Sequence, residues 1–231
     1  MSRKIIHIIG WLFLLPIAEA DCPDLSGAQP ARLLQTEQQQ KMTAELLSDW
    51  KSDEPLRIVK LGGYILETGK LQDLCCISST FGISPGAQRL LNRRLERLKF
   101  EPANSGGKNF KVFVGLTVLG KKTDSGIQTA LLLNHLYSID EFGIDYSAPQ
   151  RLWVQSMWSG QRMQSGSVYV EIEAMVDETG QATNGTVRDQ EKRGSGIDGA
   201  LASRIESACF IPGFFENKPT KMRYVEAMSN F

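Results

Sequence analysis

The chain has 231 residues, 42% of them hydrophobic and 23% charged, with 26 basic side chains against 26 acidic ones and a pI near 6.7. That balance excludes a disordered polyelectrolyte and a membrane-filling protein. It argues equally against nucleic acid as a partner, because neither a net positive field nor a lysine-rich stretch is present to displace counterions from phosphates.

The first twenty residues read as an address. Arg3 and Lys4 precede an apolar run from Ile5 to Ala18 that includes His7 and Pro16, and Ala18-Glu19-Ala20 has the small-x-small pattern cut by a signal peptidase. About 14 apolar residues fall short of the roughly 20 that a spanning helix needs. Cleavage before Asp21 and export to the periplasm are therefore expected, with a membrane contact only if this segment is kept. Cys22, Cys75, Cys76 and Cys209 would remain, an even number in an oxidising compartment, so two disulfides are expected. Neighbouring side chains of a strand point to opposite faces, so Cys75 and Cys76 should not bond each other. If each finds a different partner, the bridges run to Cys22 and Cys209. With no C-x-x-C pair to give tetrahedral spacing, no zinc site, and more generally no metal or cofactor, is expected.

Asp21 to Gln35 is polar and loop-like, and Thr36 to Trp50 has the spacing of an amphipathic helix with Met42, Leu46, Leu47 and Trp50 on one stripe. Leu56 to Leu66 and Leu71 to Ser78 predict a hairpin closed by Glu67-Thr68-Gly69-Lys70. Ser84-Pro85 starts a helix, a hydroxyl cap before a first-turn proline, with Leu90, Leu91, Leu95 and Leu98 on its apolar face. Phe110 to Leu119 alternates as a strand with Phe110, Val112, Val114, Leu116 and Val118 on one face. Ile127 to Leu133, in the connector, reads equally as an added strand or a short helix.

The order then recurs. Ser167 to Val176 is a strand with Val168, Val170, Ile172 and Ala174 inward, Asp177-Glu178-Thr179-Gly180 turns it into Gln181 to Arg188, a helix starts at Asp198, and Lys221 to Met228 is the last strand. The second helix has Ala200, Leu201, Ile205 and Ala208 as its stripe. Glu67-Thr68-Gly69 matches Glu178-Thr179-Gly180, and Phe100-Glu101-Pro102 matches Phe210-Ile211-Pro212. Gly69 precedes Phe100 by 31 positions and Gly180 precedes Phe210 by 30. Two copies of a strand-turn-strand-helix-strand unit follow, and with them an α+β fold.

The second copy resembles the TonB C-terminal domain family. The residues that carry the likeness are Val168-x-Val170-x-Ile172, Val176-Asp177-Glu178-Thr179-Gly180, Ser195-Gly196, Ile197-Asp198, Ala200-Leu201 and Phe210-x-Pro212, over about 80 residues from Ala148 to Met228. Residues 56–120 resemble it in degenerate form. The expected division is a signal peptide over 1–20, an N-terminal segment with a helix over 21–55, the degenerate module over 56–120, a connector over 121–147 and the TonB-C-like domain over 148–231. The resemblance implies small antiparallel sheets with a packed helix, and binding of an extended segment of an envelope protein by strand addition. Lys221, Arg223, Tyr224, Val225 and Glu226 fall at the family's last strand, with Lys221, Arg223 and Glu226 as polar edge groups. The alternative to a free edge is one covered by the other copy. The chain lacks the family's Ser-x-x-x-His pattern, since Ser2 and His7 are five apart, and a long proline-rich tether. A membrane-anchored TonB-like component of energy-coupled transport is the second reading, and an unrecognised periplasmic enzyme the third.

No catalytic residues are expected. Gly194-Ser195-Gly196-Ile197-Asp198-Gly199 is a literal G-x-G-x-x-G, but the polar run Arg188 to Arg193 stands where a dinucleotide site needs a buried parallel strand. His135 is the single histidine after Asp21, too few for a multi-histidine metal site. Asn184-Gly185-Thr186 fits a glycosylation sequon but reads more simply as turn chemistry. Trp153, Met157 and Trp158 suggest core packing before an exposed contact surface.

Overall fold

The computed structural model describes residues 22–47, 55–80, 83–124, 126–153, 169–189 and 197–229. The first twenty residues, Trp50, Met157, Trp158, Val168 and the stretch from Gln190 to Gly196 lie outside them. Strand β1 (Arg32–Leu33) and helix α1 (Glu37–Ala44) come first. The hairpin β2 (Leu56–Ile65) and β3 (Leu71–Ser79) is followed by α2 (Pro85–Leu95). Short strands β4 (Phe100–Glu101), β5 (Ala103–Ser105) and β6 (Lys108–Phe110) lead into the long β7 (Val112–Thr123). The connector contains β8 (Gly126–Leu132), one helical turn α3 (Ile139–Phe142), β9 (Tyr146–Ser147) and β10 (Gln150–Leu152). The second half runs β11 (Tyr169–Val176), β12 (Ala182–Asp189), α4 (Ile197–Glu206), β13 (Phe210–Ile211), β14 (Gly213–Phe215), β15 (Lys218–Thr220) and β16 (Met222–Ser229). The fold is mixed α+β, mostly antiparallel strands with few helices.

Local chemistry explains the elements. Ser84 caps α2, its hydroxyl accepting from Ala87 N–H at 3.3 Å with Pro85 in the first turn, and Thr36 caps α1 by accepting from Gln39 N–H at 3.2 Å. α1 is shorter than the stripe suggests, ending at Ala44, and Leu46 reaches the core from the turn beyond it. Leu91 and Leu95 of α2 are buried as the stripe requires, Leu90 is half-buried, and Leu98 is buried in the turn after the helix. The undecided segment of the connector is a strand, β8, paired antiparallel to β7 from Gly126 against Thr123 to Leu132 against Thr117.

The hairpin strand β2 lies between β3 and β7, and β11 lies between β12 and β16, so one strand order is built twice. The backbone repeats in detail. Gly69 and Gly180, 111 positions apart, both have positive φ, and a Cβ on either would collide with the carbonyl oxygen of the matching Phe100 or Phe210. Asp73 and Asn184, also 111 apart, share a left-handed conformation beside an irregularity in the ladder. Gly106-Gly107 and Glu216-Asn217, 110 apart, both turn the short hairpin with two positive φ angles. The matched glycines and phenylalanines are thus two parts of one close contact between turn and helix end, which explains their constant spacing.

The halves share a sheet. β10 pairs with β13 through Arg151 and Phe210 and with β7 through Arg151 and Phe113, giving the order β13-β10-β7-β2-β3 with β8 on the far part of β7. One face of this sheet, with Val59, Leu61, Ile65, Val112, Val114, Leu116 and Val118, packs on Leu91, Leu95 and Leu98. A second core joins Val170, Ile172, Ala174 and Val176 to Leu201, Ile205, Phe210 and Tyr224, and Phe113 of β7 enters it from the other face. Each fully buried aliphatic or aromatic side chain contributes about 1.5–3 kcal/mol by leaving water. β7 therefore serves two cores.

The cysteines correct an expectation. Cys22 bonds Cys209, with Cα atoms 5.5 Å apart, while Cys75 and Cys76 remain thiols, so there is one bridge and not two. The reason lies in β3: its adjacent side chains do point apart, Cys76 into the main core and Cys75 across the sheet to within 3.6 Å of Gly62 O, and neither meets the chain's ends.

Candidate functional site

The last strand, β16, is where the sequence places partner-binding residues. Its alternation puts Met222, Tyr224 and Glu226 on one face and Arg223, Val225 and Ala227 on the other. Both faces are covered: Tyr224 is 2%, Val225 6%, Glu226 0% and Ala227 3% exposed. Lys221 is exposed and Arg223 half-buried. Of the three expected edge groups, Glu226 is therefore inside the protein.

Glu226 is held by a residue that the sequence reading did not single out. Arg151, on β10, donates from Nε to Glu226 Oε2 at 2.8 Å and from Nη2 to Oε1 at 3.0 Å, and Tyr224 O–H donates to Oε2 at 2.6 Å. Arg151 is itself 1% exposed, with its guanidinium 5.7 Å from the centre of the Phe113 ring. Burial works against the Arg151 charge, but the Glu226 carboxylate more than offsets it and the arginine is held charged. Burial, together with that carboxylate, pushes the Tyr224 hydroxyl well above its ordinary range. Strand periodicity offered the missing signal, since a glutamate two residues from an inward tyrosine shares its face.

On the other face a second set of charges spans the halves. Arg223 pairs with Glu173 of β11 and sits 5.1 Å from the Tyr137 ring centre, and Arg188 of β12 reaches Glu173 at 2.8 Å. Tyr137 donates to Glu171 Oε2 at 3.0 Å, and the Lys60 ammonium lies 4.4 Å from the same ring. Partial burial opposes the charge of Glu173, yet the Arg223 contact holds its carboxyl below the ordinary range. Burial pushes the Lys60 ammonium down.

His135 is buried. Its ring lies on Gly115, where an added Cβ would come within 2.8 Å, and its Nε2 is 2.6 Å from Leu61 O; a carbonyl only accepts, so Nε2 carries the proton. Burial lowers its pKa to about 4 from 6.5. It is therefore neutral near pH 7 and points its one N–H at the backbone. The unfolded chain binds more protons than the folded one between these values, so stability should fall as pH drops from 6.5 towards 4, by roughly 3 kcal/mol. His135→Gln keeps an N–H for Leu61 O and should flatten that interval in urea unfolding measured across pH; parallel curves for the two proteins would mean that His135 is not the source.

A small hollow of about 10 Å³ lies beside the middle of β16, lined by Gly115, His135, Tyr137, Tyr146, Ala148 and Pro149 opposite Arg223, Tyr224 and Val225. That is room for about one water molecule, far below the roughly 300–1,000 Å³ usual for a small-molecule site. Trp153 packs on Tyr64, 4.9 Å between ring centres, with the Lys111 ammonium 4.3 Å from the indole. β12, which precedes the glycine-rich stretch, is antiparallel to β11, so the βαβ setting of a dinucleotide site is missing there. Asn184 belongs to a bulge that brings Gly185 N–H to Glu206 Oε1 at 2.7 Å. Among the described residues no group of three or more metal-binding side chains gathers, and no helix is long and apolar enough to cross a membrane. No protein-family model, curated protein or solved structure matches the chain.

Proposed function

We propose that the protein is a non-enzymatic periplasmic binding module, similar to the TonB C-terminal domain, that takes up an extended segment of an envelope protein by strand addition at β16. The observation behind this reading is the unequal use of two equivalent strands. β7 has β2 on one side and accepts β8 and β10 of its own chain on the other. β16, 110 positions further on, pairs with β11 alone among the described residues. A strand edge with unpaired N–H and C=O groups accepts another strand, and alternate side chains select which. The Asp177–Gly180 turn, part of the residues that carry the resemblance, is closed by the Asp177 carboxylate, which accepts from Thr179 N–H at 2.9 Å and Gln181 N–H at 3.0 Å, and Gly180 sits under Phe210.

The hollow beside β16 is smaller than a peptide strand, so docking widens the gap between β16 and the first half. Lys221 and Arg223 then flank the incoming segment, while Tyr224 and Glu226 keep their buried partners. A photoreactive residue at Lys221, placed in the full chain in its own cell, should cross-link an envelope protein. The synthetic segment identified from that cross-link should slow amide hydrogen exchange along Met222–Ala227. Unchanged exchange in β16, or cross-linking no greater than from the exposed Lys41, would sink the assignment.

A further inference from the structure

We infer that the connector loop from Asn134 to Tyr146 is a second docking surface, apart from β16, built to receive a basic segment of another protein that carries large apolar side chains. The loop is anchored from below. Asn134, with no exposure, donates from Nδ2 to Tyr146 O at 2.9 Å and Ile144 O at 3.3 Å, while its Oδ1 accepts from Leu136 N–H at 3.0 Å. Thr117 Oγ1 donates to Asn134 O at 2.6 Å, and the Tyr146 hydroxyl accepts from Ser138 N–H at 3.1 Å. Leu136 is held at φ 63°, a left-handed conformation that a branched side chain disfavours. Buried polar groups thus fix a strained backbone whose tip faces water.

That tip is apolar. Ile139 is 40% and Ile144 44% exposed, and Phe142, one helical turn from Ile139, leans on Phe215 with ring centres 5.3 Å apart. Single exposed apolar residues are common, but two isoleucines beside a phenylalanine pair on a rigid loop form the kind of anchor that interfaces use. The repeat does not require the loop: where Ser147 pairs with Phe214, the first half has only the bridge between Gln29 and Asn104.

Charge selects the occupant. Asp140, Glu141, Asp145 and Glu216 are exposed around the tip and make no ion pair among the described residues, against Lys218 across from Phe215. Such a rim repels anionic lipid and acidic peptides, and attracts lysine and arginine flanking an apolar side chain.

A random peptide library displayed on phage, selected on the intact protein, should yield sequences with net positive charge and at least one large apolar residue. Their binding should weaken about tenfold or more for Ile139→Ser with Ile144→Ser, and similarly for Asp140→Asn with Glu141→Gln and Asp145→Asn. Both variants alter exposed positions, and unchanged circular dichroism checks their folding. Higher salt should weaken binding to the wild type. Selected peptides that are neutral or acidic, that bind both variants as well as the wild type, or that shift NMR signals only outside residues 138–146 and 215–218 would overturn the inference. Binding to phosphatidylglycerol vesicles in place of peptides, or tip-dependent association of the chain with itself, would overturn it equally.

Discussion

Replacing Cys22 and Cys209 by serine should lower the unfolding free energy by about 5 kcal/mol, the chain-entropy value for a loop of this length. The bridge joins positions 187 residues apart and closes nearly the whole described chain. It also pins a strap, because the segment after Cys22 crosses to both halves. Ala31 N–H donates to Gln150 Oε1 at 2.8 Å, Gln150 Nε2 returns to Ala31 O at 3.0 Å, and Gln29 bridges to Asn104. Cys22 is exposed while Cys209 is buried, so a reductant attacks from the Cys22 side. Guanidinium unfolding of the wild type with and without reductant, beside the double variant, measures the effect. A loss below about 1 kcal/mol would mean that the strap's hydrogen bonds hold without the bridge.

Arg151→Met should destabilise by about 3–5 kcal/mol, because it leaves the Glu226 carboxylate buried without the two N–H groups that Arg151 donates. Glu226→Leu should do comparable damage by stranding the arginine. The pair of changes together should recover most of the loss, since a buried ion pair and a packed apolar pair of similar volume differ little in stability. The three variants form a double-mutant cycle read by urea denaturation. Additive losses would sink the claim that the two side chains act as a unit, and single losses under about 1 kcal/mol would place the cluster in contact with water.

Much of the fold was legible because local chemistry and periodicity agreed. Ser84-Pro85 announced α2, the alternation from Val112 to Val118 marked a buried face, and Gly69 and Gly180 marked turns whose backbone excludes a side chain. The two-residue strands β1, β4, β9 and β13 were not legible, since elements that short carry no period and exist only through their partners. The cysteine pairing failed for a similar reason: spacing cannot tell which segments meet, and the vicinal pair lies in the middle of β3, away from Cys22 and Cys209. Glu226 was read as an edge group because its charge outweighed its register, although the period-two pattern with Tyr224 pointed inward. Arg151 and Asn134 carried no signal of their own. Their roles arise where the halves meet, and a repeat read one copy at a time does not describe its own seam.

That seam runs through three residues. Gln150–Leu152 hydrogen-bonds to β7 on one side and β13 on the other, and its arginine reaches into the second core. A fragment beginning after Leu152 would lose the backbone partner of Phe210 and Ile211 and the Arg151 guanidinium that pairs with Glu226. Whatever the origin of the repeat, its halves are no longer interchangeable parts. Each half closes its sheet and its core with residues of the other, so a change at this seam is felt in both cores.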